Sequence, residues 1–245
     1  MTTRPVTLPR PHYAPIQFLR QYFYLCMALL IAVVVVYGFS HTIGKNLLHA
    51  SPIPPAILTL HAIVFPGWVL FFILQSALVR TRNVPLHRTL GWFGLAFGCG
   101  ILLLGYLTAT GMDRFLLHTD PADASDTTAF LIIQLMDLLC FAIPFALAIY
   151  WRRRPEYHRR LMLIASCGLT DAAFGRFPAL PLAWAPAGVD TLILLGILRD
   201  LIVDRRIHKV YLYAFPLLIL LQIFCTQTYL HTAHWWLRIA TALLR

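Results

Sequence analysis

Three short stretches of this chain repeat one design: Pro85-Leu86-His87-Arg88, Pro155-Glu156-Tyr157-His158-Arg159 and Arg206-Ile207-His208-Lys209. Each follows an arginine-bearing loop and opens onto a long apolar segment. The cations need water or lipid headgroups, while an apolar run of ~20 residues needs a hydrocarbon core. Each stretch therefore marks a turn on the same face of a membrane, to which the chain keeps returning.

The composition agrees. Of 245 residues, 59% are hydrophobic and only 12% charged, well above the ~45–50% apolar content of soluble domains. Lipid must solvate much of such a surface. The formal charge of +10 does not point to nucleic acid, because Arg and Lys cluster beside apolar runs and form no stripe interleaved with exposed aromatics. The expected partners are membrane lipids, with no nucleic acid.

Apolar runs and breakers predict an all-α bundle of seven transmembrane helices, at residues 21–41, 55–79, 89–110, 129–151, 160–177, 182–203 and 209–230. The basic turns join the second to the third, the fourth to the fifth and the sixth to the seventh, giving one leading helix and three hairpins. The fifth is short and carries Asp171 and Arg176; the sixth is interrupted by Pro186 and carries Asp190 and Arg199. Either can be a broken or re-entrant helix. Tyr22 to Phe39 exceeds the ~7–15 apolar residues of a signal peptide and is followed by no small-residue cleavage site, so it is expected to remain as the first span. All five cysteines fall inside spans without CxxC spacing and are expected to be buried thiols.

Fifteen of the twenty cations lie on the side of the basic turns, from Arg4, Arg10 and Arg20 through Arg205, Arg206 and Lys209; Lys45, Arg114, Arg176, Arg238 and Arg245 lie on the other. The positive-inside bias then puts the N-terminus in the cytoplasm and the C-terminus outside. The expected layout is a cytoplasmic segment 1–20, a membrane domain 21–230 and an amphipathic interfacial tail 231–245. Asp113, Asp120, Asp123 and Asp126 are expected in the longest outer loop.

The outer half of the bundle is chemically richer. On the second span His61, Phe65, Trp68, Phe72 and Gln75 recur at helical spacing and form one face. Gln134 and Asp137 are three apart on the fourth. A lone carboxylate at the depth of Asp137 costs at least ~2.5–3.5 kcal/mol, so it needs a partner or a proton. His61, Asp137, Asp171, Arg176 and the Gln222/Thr226 pair fall at one level, with Tyr37, Ser40, His41 and Asp190 near the outer mouth. Two accounts follow. Polar pairs between membrane helices, worth ~0.6–2 kcal/mol, can simply glue the bundle together. Alternatively, His61, Trp68, Gln75, Gln134, Asp137, Asp171 and Arg176 line an outward-facing pocket for a small molecule or ion.

His87, His158 and His208 each open a returning helix beside a cation. They serve as interfacial helix-end groups, or converge as haem, metal or anion ligands. His231 and His234 flank a Trp pair that suits a membrane interface; two histidines do not complete a zinc site. No phosphate-binding Gly loop, serine-nucleophile elbow, HExxH or Rossmann fingerprint is present.

Leu60-His61-Ala62-Ile63-Val64-Phe65-Pro66-Gly67-Trp68, then Gln75, then Leu86-His87-Arg88-Thr89-Leu90-Gly91, resembles the LH-x3-F-x2-W, Q, LHR-x-LG pattern of a group of uncharacterised bacterial multi-pass inner-membrane proteins. Arg153-Arg154-Pro155-Glu156-Tyr157-His158-Arg159-Arg160-Leu161-Met162 resembles their RRP-x2-H-[RK]-RLM turn. The HR-x-LG turn is also similar to cytochrome b561 and ferric reductase-like membrane cytochromes, which implies haem b held by histidine pairs; here these would be His41 with His61 and His87 with His158. The seven spans also resemble zinc-dependent membrane hydrolases of the hemolysin III and ceramidase kind, although His231-x2-His234 departs from their His-x3-His spacing. The expected function is small-ligand or ion binding, sensing or accessory transport. Quinol-linked electron transfer and zinc hydrolysis are the alternatives, and catalytic residues are not assigned.

Overall fold

A computed structural model describes residues 14–245. Arg4, Arg10 and most of the expected segment 1–20 lie outside the described residues. The chain is an all-α bundle with no strand among the described residues. Its helices are α1 (Ala14–Ser40), α2 (Ala56–Arg80), α3 (Val84–Thr119), α4 (Ala124–Tyr150), α5 (Pro155–Gly168), α6 (Asp171–Phe174), α7 (Ala185–Val203), α8 (Lys209–Leu230) and α9 (His234–Leu244).

Five of these, α1, α2, α3, α4 and α8, are long and apolar enough to cross a membrane. Their outward faces are greasy: Val36, Leu103, Leu217 and Leu220 are 63–70% exposed. Such a surface is stable against lipid and not against water. Pro66, Pro144 and Pro216 sit inside α2, α4 and α8 without ending them, as membrane helices allow where neighbours re-satisfy the freed carbonyl.

The basic turns are tight. Asn83 accepts a hydrogen bond from the Leu86 amide and caps α3, while His208 does the same for α8 through the Val210 amide at 3.2 Å. Pro155 opens α5 at a position where its missing N–H costs nothing. Arg82 and Arg205, just beyond α2 and α7, hold the left-handed conformation usual for glycine at helix ends.

The expected loop holding Asp113, Asp120, Asp123 and Asp126 is instead largely helical. α3 runs on to Thr119 and α4 begins at Ala124. A helix of 36 residues is about 54 Å long, so α3 extends well beyond the ~30 Å hydrocarbon layer. Hydrophobicity marks only the lipid-crossing part of such a helix, which is why 89–110 fell short at both ends. The fifth expected span is broken in two: α5 ends at Gly168, Leu169 and Thr170 form a turn, and α6 adds one short turn of helix.

The core lies where α1, α4, α5, α7 and α8 meet, around Ile31, Leu131, Met136, Leu163, Ile164 and Ile193. A second, aromatic centre joins α2, α3 and α4 through Trp68, Phe141 and Phe145. Small residues bring α6 inward: a Cβ at Gly38 of α1 would overlap the Ala173 carbonyl, and one at Gly188 of α7 would overlap the Phe174 ring. The tail helix α9 docks its apolar face on α3 and α4, burying Trp236, Ala240 and Leu244. The Trp236 indole donates to the Ala129 carbonyl at 3.0 Å, and Arg114 caps the last carbonyls of α9.

Candidate functional site

Near the face opposite the basic turns, five elements bring ionisable and polar groups together. α2 supplies His61, α4 Asp137, the α6 region Asp171 and Arg176, α7 Asp190 and α8 Gln222. The Asp137 and Asp171 carboxyl groups lie within hydrogen-bonding reach of each other. Asp190 is within electrostatic reach of Asp171 and is approached by Gln222. Arg176 is within reach of both Asp137 and His61.

Arg176 does not clasp a carboxylate. Its guanidinium donates to the Ala172 carbonyl and sits 4.5 Å above the Phe39 ring. The carboxyls consequently keep unused capacity: Asp137 Oδ1, Asp171 Oδ1, Asp190 Oδ1 and Gln222 Oε1 are enclosed without a hydrogen-bond partner, as is His61 Nδ1. Two carboxyls this close in an apolar bundle are stable only with a proton or a cation between or beside them. A narrow crevice lined by Leu182, Pro186, Thr226 and Tyr229 leads to Asp171 and has room for one water-sized group. Among the described residues no three His, Cys, Asp or Glu side chains are grouped as ligands of one metal ion.

The other expected residues lie elsewhere. Gln134 donates to Asp113 of α3 at 2.9 Å. Residues three apart on a helix differ by ~60° in direction, and α4 is packed on several sides, so Gln134 turns to α3 while Asp137 turns to Asp171. Trp68 is fully buried among Phe71, Phe97, Phe141 and Phe145, and its indole points to Ser166. Gln75 is buried nearer the basic face, its amide unpartnered. Tyr37, Ser40 and His41 are exposed; Ser40 and His41 fold back on the Tyr37 carbonyl. His231 and His234 are also exposed.

A second constellation sits at the basic face, and sequence reasoning had assigned its arginines to topology alone. Arg160 of α5, only 1% exposed, forms a two-pronged pair with Asp200 of α7, with both contacts at 2.8 Å. Arg160 also reaches Glu156 at 2.6 Å and Asp204 at 3.1 Å, while Arg199 bridges Asp200 and Asp204. With Arg159 on Glu156, three arginines meet three carboxylates and their charges cancel. Removing one partner of such a buried pair costs about 3–5 kcal/mol, because the other charge is stranded. The Tyr24 and Tyr211 hydroxyls lie beside this network, enclosed and without partners. The sequence signal was the R-D pair at positions 199–200, two opposite charges near the end of an apolar run.

Of the three interfacial histidines, two approach one another. The His87 and His158 rings are 6.4 Å apart at 75°, and His158 Nδ1 is tied to the Ala148 carbonyl at 2.9 Å. His208 stands apart against Tyr157.

No protein-family model, curated protein or solved structure matches this chain.

Proposed function

We propose that this is a seven-span protein of the bacterial inner membrane that binds a small cation, the proton included, at the Asp137–Asp171 carboxyl pair. It takes the N-in, C-out orientation given by its cation asymmetry and belongs with the multi-pass group whose LH-x3-F-x2-W pattern it resembles. The carrying observation is the nearness of the two carboxyls, one of which, Asp171, lines a crevice of single-water size. That size favours an ion over an organic ligand. Asp190 and Gln222 supply further acceptors on the Asp171 side of the pair. Arg176 limits the net negative charge without filling the site.

Infrared difference spectroscopy on reconstituted protein tests the reading. Acid, Na⁺ or Li⁺ should alter a carboxyl C=O band that Asp137→Asn and Asp171→Asn each remove. Ion-indifferent spectra, identical in the folded variants, overturn it.

His87 and His158 carry a second reading. Two imidazoles ligating one metal from opposite sides, at about 2 Å each, place their ring centres about 6 Å apart, and an orienting bond such as that from His158 to Ala148 is usual for ligating histidines. These two residues would hold haem b, which would supply one-electron transfer. His41 is tied to its own helix, which argues against its pairing with His61. Protein expressed with added haem should then show a Soret band that His158→Ala abolishes; its absence from the parent protein removes this reading.

A further inference from the structure

The carboxyl cluster and the ionic network lie at opposite ends of the same pair of elements. α5 carries Arg160 and, past the Leu169–Thr170 turn, the chain continues into α6 with Asp171; α7 carries Asp190 at one end and Arg199 and Asp200 at the other. Groups able to pass a proton or solvate an ion also occupy the stretch between. Cys140 lies within electrostatic range of Asp137, Asp171 and Asp190. Gly168 packs against the Cys140 backbone so closely that a Cβ there would come 2.9 Å from its carbonyl oxygen. Adjacent Cys167 lies within electrostatic range of Tyr211, whose unpartnered hydroxyl is in turn within electrostatic range of Asp200 and Arg160. Gly196 of α7 is what leaves room for that hydroxyl, since a Cβ there would overlap it.

We propose that the two clusters are the ends of one translocation path, and that the Arg160–Asp200 network is its closed cytoplasmic gate. This rests on the cation-binding reading of the carboxyl pair and adds transport to it. The outer end is reached through the crevice at Asp171. The inner end is sealed by paired charges that no ion passes without separating α5 from α7. The seal is specific in form: a two-pronged pair, crossed by Arg199 and Asp204, closing over two tyrosine hydroxyls that have nothing else to bond. Glue alone would need neither the hydroxyls nor the small residues that make space for them.

The test uses full-length protein in liposomes, with ion leak read by a pH-sensitive dye and, in parallel, by Na⁺ uptake. Cys167 alkylation from the cytoplasmic face is read site by site by mass spectrometry. Asp200→Asn and Arg160→Lys should each raise leak several-fold and expose Cys167, while Asp171→Asn added to either should return leak to the parent level. Asp200→Glu, which keeps a carboxylate for Arg160 and Arg199, should keep leak near the parent level, which keeps the test decisive if a charge-removing variant fails to fold. Folded Asp200→Asn and Arg160→Lys variants with parental leak and a protected Cys167 overturn the gate. Leak that ignores Asp171→Asn overturns the shared path, even where the infrared band confirms ion binding. Absence of that band with an intact gate response would instead fault the binding reading.

Discussion

At the scale of single residues, charges inside this bundle follow two regimes. At the basic face, arginines are matched to carboxylates, and Glu156 is a sensitive member of that match. Burial alone would push its carboxyl up, but the hydrogen bond from Arg160 and the charge of Arg159 outweigh burial and hold it below its ordinary value of 4.5. A carboxylate whose folded value is depressed stabilises the fold above its unfolded value, and that contribution disappears as pH falls through the folded one. Glu156 is more than half exposed, so solvent screens part of the effect. The expected result is that Glu156→Gln lowers the thermal midpoint at pH 7 and narrows its gap from the parent below about pH 4.5. A constant gap across that range would count against the ion pair. At the opposite face the carboxyls outnumber Arg176, which itself bonds a backbone carbonyl, and this surplus is the ground for proposing an ion there.

At the scale of elements, what was legible depended on what hydrophobicity reports. The boundaries of α2 and α8 were readable almost to the residue, because a basic turn or proline cluster closes each run. The ends of α3 and the start of α4 were not, since helix outside lipid is stabilised by its own hydrogen bonds and by α9, whose Trp236 bonds the Ala129 carbonyl; these contacts leave no mark in an apolar window. The break between α5 and α6 was foreshadowed by Asp171 and Arg176. Its cause, close packing of Gly168 on Cys140 and of Ala173 on Gly38, is tertiary and has no local signature. The nearness of Asp137, Asp171 and Arg176 could be anticipated from depth counting, because costly polar groups in lipid seek one another. The loss of Gln134 and Trp68 to other neighbours could not, because direction around a helix depends on which helices flank it.

At the scale of the whole molecule, the number of crossings turns on α5, α6 and α7 together. If they cross as one broken helix and its return, the chain has seven spans; if all three stay on the cytoplasmic side, it has the five set by α1 to α4 and α8. Both counts are odd, so both leave the C-terminus outside, and a reporter at Arg245 would not distinguish them. The segment between α6 and α7 does, because seven spans put it in the periplasm and five put it in the cytoplasm. Packing favours the first. Ala173 rests on Gly38, two residues from the end of α1 that faces away from the basic turns, whereas Arg160 and Asp200 meet near the basic turns themselves. From Pro155 to Phe174 the chain holds twenty residues, about 30 Å if helical, which is the thickness of the hydrocarbon layer. A cysteine replacing exposed Ala183 in intact cells should therefore react with an impermeant maleimide added outside, while Cys167 stays unlabelled. Reaction of Ala183→Cys only after the inner face is opened would place the whole α5–α7 segment in the cytoplasm, and with it remove Asp171 from any site that opens outward.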